Sequence, residues 1–90
     1  MSKYDPLFHH LANHPTTPHV IMTFDEIESV LGFSLPDSAR NFPEWWGNED
    51  PKTTRDVQSL AWTLNDRTAE PDLNLKKVRF KIRLKGLAFH

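Results

Sequence analysis

Hydrophobic and polar positions along these ninety residues change period several times, and each change marks a predicted element. In "KYDPLFHHLANHP", Leu7, Phe8 and Leu11 recur at helical spacing. Asp5 suits the N-cap, Pro6 suits the first helical position, and Pro15 stops the run, which predicts a helix near 5–13. The β-branched and apolar run in "TTPHVIMTF" predicts a short strand near 19–23. Thr23 and Glu26 then make the S/T-x-x-E pattern of a capping box, and Ile27, Val30 and Leu31 line one face. Gly32 can close that helix, near 24–31, in the left-handed conformation.

"LPDSARNF" predicts a third helix near 35–42, with Pro36 in its first turn. Pro43 either kinks it or begins a new turn holding Trp45 and Trp46, which Gly47 ends. Residues 48–56 are polar and read as a loop. In "SLAWTLN", Leu60, Trp62 and Leu64 alternate with small or polar neighbours, which predicts a strand. "DRTAEPDLN" is turn chemistry, so 66–74 reads as the long tip of a hairpin. Its second strand has the cleanest period of two in the chain, Val78, Phe80, Ile82 and Leu84 against Arg79, Lys81, Arg83 and Lys85. The order is helix, strand, helix, helix, strand, strand. It predicts a single α+β domain over 1–90 that is winged-helix-like, with three helices and a small antiparallel three-stranded sheet.

Composition narrows the function. Ninety residues support one modest core. No apolar run reaches the ~18–20 residues that span a bilayer, and "MSKYDPLF" has no signal-peptide core, so no membrane association and a cytoplasmic location are expected. Cysteine is absent, which removes disulfides, thiolate metal sites and cysteine nucleophiles. The net charge of −1 conceals an asymmetry: six of the eleven basic residues lie in "KKVRFKIRLK", leaving five against all twelve acids elsewhere. One basic surface on a mildly acidic body is the expectation.

Several blocks of the chain are similar to a family of small bacterial domains of unknown function. They are "YDPLF", "TFDEIESVLGFSLPDSARNFPEWWGN", "LAW" and "VRFKI", and they follow that family's pattern of YDPL, F-x-x-I-E-x-x-L-G, L-P-x-S-A-R, W-W-x-N, a later Trp and V-x-F. The resemblance spans nearly the whole chain and implies kinship without a mechanism. The chain departs from the pattern at Ala61, where a glycine usually precedes the later tryptophan, and in a longer basic tail after Phe80.

Two function classes remain. In the first, the chain binds nucleic acid, with double-stranded DNA the expected ligand. Ser38, Arg40 and Asn41 on the third helix would reach base edges, and Arg79, Lys81, Arg83 and Lys85 would contact phosphates about 7 Å apart along the strand. The bland alternative for those cations is the protection of an edge strand against aggregation. The acids Asp37, Glu44, Glu49 and Asp50 argue against the nucleic-acid reading. In the second class, Arg40, Trp45, Trp46 and Asn48 form a docking surface for a protein partner, because Trp and Arg anchor interfaces. One tryptophan is expected in the core and the other at its rim, with Asn48 as a loop or capping residue. A homodimer would suit either role. His10 and His14 are spaced to hold zinc when a third ligand approaches, but Asp5 could serve only by giving up its cap and no H-E-x-x-H pattern is present, so no metal or cofactor is expected. No glycine-rich phosphate loop or marked nucleophile is present, which predicts a non-enzyme.

Overall fold

A computed structural model of the protein describes residues 2–48 and 58–83. Its elements are α1 (Asp5–Ala12), β1 (His19–Thr23), α2 (Phe24–Leu31), α3 (Asp37–Asn41), a 3-10 helix (Pro43–Trp46), α4 (Leu60–Thr63), β2 (Arg67–Asp72) and β3 (Lys77–Ile82). The three strands form one antiparallel sheet in the order β1-β3-β2. The fold is α+β, and the expected helix, strand, helix, helix, strand, strand order holds, with α4 as an added turn of helix.

Helix α2 matches its prediction end to end because its signals are local. Thr23 Oγ1 accepts the Glu26 N–H at 3.1 Å, and Glu26 Oε1 accepts the Thr23 N–H at 2.9 Å. The N–H that Thr23 donates to it, helped by the Thr23 hydroxyl, holds the Glu26 carboxyl below its ordinary pKa. Gly32 closes the helix at φ 84°, where a side chain would be strained even though a Cβ there would meet nothing within 4 Å. At α1, Tyr4 takes the N-cap position instead of Asp5. Ser2 receives the preceding N–H groups, its hydroxyl from Tyr4 and its carbonyl from Asp5. Helix α3 is shorter than predicted. Phe42, just before Pro43, sits at φ −130°, ψ 118°, because the proline ring excludes helical geometry there. Pro43 starts the new turn.

Two expectations fail together. "SLAWTLN" is the helical turn α4 rather than a strand. Ala61, Trp62 and Thr63 are buried in succession, which a strand with one buried face cannot do. A short apolar run fits either element by spacing alone. The strand lies just beyond, in the segment that reads as turn chemistry. Residues 67–72 pair along their length with β3, Arg67 opposite Ile82 and Asp72 opposite Lys77. Pro71 is tolerated because β2 is an edge strand. The hairpin tip is therefore 73–76 rather than 66–74.

The core lies between the inner sheet face and the helices. Phe24, Trp46, Trp62 and Phe80 run through it as a ladder of rings, with successive centroids 5.8, 5.7 and 5.7 Å apart. The tryptophan pair divides as predicted. Trp46 is buried and donates from Nε1 to the Ala39 carbonyl at 2.8 Å, while Trp45 is half-buried against Tyr4. Arg67 is also inside, at 2% exposure. Its guanidinium donates to the Phe80 and His14 carbonyls, and burial pushes its pKa down. This one side chain joins the strand pair to the loop after α1.

Candidate nucleic-acid interface

The outer face of the sheet carries the odd-numbered residues of β3. Lys77 is half-buried, whereas Arg79 and Lys81 are exposed. Their neighbours follow from the register. Lys81 lies between His19 and Thr68, Arg79 between Ile21 and Glu70, and Lys77 between Thr23 and Asp72. The strand's own face is cationic, as its alternation predicts, but the sheet sets two acids beside it. Those acids come from β2, the strand that the sequence hides as a turn. Arg79 and Glu70 form an ion pair at 3.6 Å with both side chains about half exposed, a geometry that contributes little to stability. Asp72 Oδ1 accepts the N–H groups of Asn74 and Leu75 and so shapes the hairpin tip.

Because β3 is the central strand, its cations do not serve to protect an edge. The β2 edge has other devices: Pro71, and the side-chain amide of Asn48. Asn48 accepts the Ala69 N–H at 2.6 Å and donates to the Ala69 carbonyl at 3.1 Å, standing in for a neighbouring strand.

The third helix meets the expectations less well. Ser38 and Asn41 are exposed, but Arg40 is engaged. Its Nη2 donates to Glu28 Oε2 at 2.6 Å, and its guanidinium lies 5.7 Å from the Phe24 ring centre. Glu28 Oε2 also accepts the Leu35 N–H at 2.6 Å, the main reason its pKa is lowered. This clamp fixes the α2–α3 corner. Arg83 is half-buried beyond β3, and its N–H donates to the Asp66 carbonyl. Lys85, Glu49, Asp50 and the rest of the predicted 48–56 loop after Asn48 lie outside the described residues.

The structure adds residues that the alternation did not single out. Phe24 at the start of α2, Arg40 and Asn41 at the end of α3, and Leu73, Asn74 and Lys76 of the hairpin tip line an open cavity of about 510 Å³. The Phe24 N–H donates to the Lys76 carbonyl at 2.8 Å and ties the tip to the start of α2. In the sequence Lys76 is legible only as one more charge, because the turn chemistry of 66–74 draws the tip away from it. Elsewhere, Tyr4, Phe8, Leu60, Ala61 and Leu64 wall a larger apolar groove of about 820 Å³ between α1 and α4. The His10 and His14 rings are neighbours, with centroids 5.3 Å apart. Among the described residues no His, Cys, Asp and Glu cluster of three or more comes together to suit a metal ion.

These features define a small α+β domain whose distinguishing surface is a cationic central strand continuing into a hairpin tip. The chain belongs to the family described as Domain of unknown function (DUF7662), whose model matches residues 4–81. That span covers both the core ladder and the cationic strand through Lys81. No curated protein and no solved structure matches the chain. Among the described residues no helix is long and apolar enough to cross a membrane.

Proposed function

We propose that the chain is a non-enzymatic module that binds nucleic acid, with double-stranded DNA as its ligand, and that it holds the phosphate backbone in a winged-helix-like arrangement. The observation that carries this reading is the placement of Lys77, Arg79 and Lys81 on the solvent face of a central strand, where neither edge protection nor strong ion pairing accounts for them. Strand geometry spaces them about 7 Å apart, which suits contacts with successive phosphates. Base readout has a smaller part. Helix α3 has five residues, its arginine is tied to Glu28 and its Asn41 lines the cavity beside the hairpin tip, which leaves Ser38 as its exposed groove contact. Binding with weak sequence preference follows.

The test is fluorescence anisotropy of a labelled duplex with the wild type and the Arg79→Gln/Lys81→Gln variant. The expected result is unchanged melting and at least a tenfold loss of affinity. Equal affinity for both proteins would remove the strand from the reading.

A second reading, a protein-interaction module, is favoured by one observation: the apolar groove between α1 and α4, where Leu64 remains 56% exposed. Of the predicted anchors, Trp46 is buried, Arg40 is half-buried and held by Glu28, Asn48 is bonded to Ala69, and Trp45 packs on Tyr4, which lines the groove. A stoichiometric partner retained by the wild type and lost by Leu64→Glu would favour this reading.

A further inference from the structure

The cavity between the end of α3 and the hairpin tip combines four polar side chains with an apolar wall. Arg40 and Lys76 bring positive charge, Asn41 and Asn74 bring carboxamide donors, and Phe24 and Leu73 close the sides. Arg40 is held in place before any ligand arrives, by Glu28 at one edge and the Phe24 ring beneath it. Only Nη2 bonds Glu28, so Nη1 and Nε have no hydrogen-bond partner among the described residues. Pre-positioned donors lose little freedom on binding, and a guanidinium matches the oxygen geometry of phosphate.

Lys76 supplies an independent observation. Its φ is +55°, the left-handed region that favours glycine or asparagine. It closes the tip "LNLK", where a hairpin commonly places glycine in that conformation. A lysine there is strained, yet it sets a cation at the mouth of a cavity that holds a second one. Of the acids around it, Glu28 is occupied by Arg40 and the Leu35 N–H, and Asp72 Oδ1 by the N–H groups of the tip, whereas Asp37, one helical turn from Asn41 on α3, opposes an anion there.

We infer that this cavity seats one phosphate group, held by Lys76 and Arg40 together with Asn41 and Asn74. The inference rests on the nucleic-acid reading in naming the source as a backbone phosphate of the duplex, next to those on the sheet face. Lys76→Gly is the discriminating variant, because glycine relieves the backbone while removing the charge. Its melting temperature is expected to equal or exceed that of the wild type, while duplex affinity falls about tenfold and the salt slope decreases by about one. If Lys76→Gly binds the duplex as the wild type does, with the same slope, the cavity is not a phosphate site. The Arg79→Gln/Lys81→Gln variant would still report on the sheet face separately.

A second arm uses inorganic phosphate alone, followed through the side-chain amide NMR signals of Asn41 and Asn74. Shifts in the wild type that vanish in Lys76→Gly support the cavity even where the wild type fails to bind the duplex, and then point to a free phosphorylated ligand. No shift in the wild type overturns it.

Discussion

Arg40 and Arg79 look alike in the sequence, each a cation proposed to touch nucleic acid, yet their surroundings differ. At the α2–α3 corner, Arg40 is clamped by Glu28 and laid over Phe24, and Glu28 in turn holds the Leu35 N–H. On the outer face of the sheet, Arg79 makes one loose ion pair, and Lys81 lies between a histidine and a threonine. The difference is one of architecture. Two helices meeting at a corner bring acids of one within reach of bases of the other, whereas a central strand must direct alternate side chains away from the core. A count of charges cannot separate the two cases; the packing does.

That contrast predicts large stability effects on the packed side and nearly none on the sheet face. Trp46→Ala removes the middle of the ring ladder and the bond to the Ala39 carbonyl, and should cost about 3–5 kcal/mol in urea unfolding. Trp46→Phe should cost more than Trp62→Phe, because Trp62 Nε1 has no hydrogen-bond partner to lose among the described residues. Arg67→Met keeps the apolar stem but leaves the Phe80 and His14 carbonyls without their donor, a loss of about 1–3 kcal/mol in the same assay.

Arg67 also shows what local reading cannot reach. Nothing around it in "NDRTAEPD" signals burial, since its partners lie 13 and 53 positions away. Helix α2 was legible to the residue because cap, face and stop all fall within ten positions. Helix α4 was misread because its true partners, α1 and the ring ladder, are distant, while its chance alternation of large residues is near. The error carried into the site. A neighbouring strand of "SLAWTLN" would bring no acid to the cationic face, whereas "RTAEPD" brings Glu70 and Asp72. The cationic row itself was legible, because a period of two needs no knowledge of the partner strand.

Smaller effects sharpen the contrast. Asn48→Ala would expose the β2 edge at Ala69, at a cost of about 1 kcal/mol and with increased aggregation on heating, read by denaturation and light scattering. Glu28→Gln should destabilise at neutral pH. The Glu28 pKa is lowered in the fold, so its contribution is fully present above the ordinary glutamate value of about 4.5 and is lost as pH falls through the folded value. The gap between wild type and variant should therefore narrow on acidification below about pH 4.5, in melting curves across pH. Smallest of all, Arg79→Gln/Lys81→Gln should change stability by no more than about 0.5 kcal/mol.

The most direct measurement is the salt dependence of duplex binding. A labelled duplex of about 20 base pairs is titrated across a salt series, and log affinity is plotted against log salt. If Lys76, Lys77, Arg79 and Lys81 each neutralise a phosphate, the slope lies between about −3 and −4, and Arg79→Gln/Lys81→Gln reduces its magnitude by about two. No binding at low salt, or a slope that the double variant leaves unchanged, would contradict the assignment of those cations to phosphate.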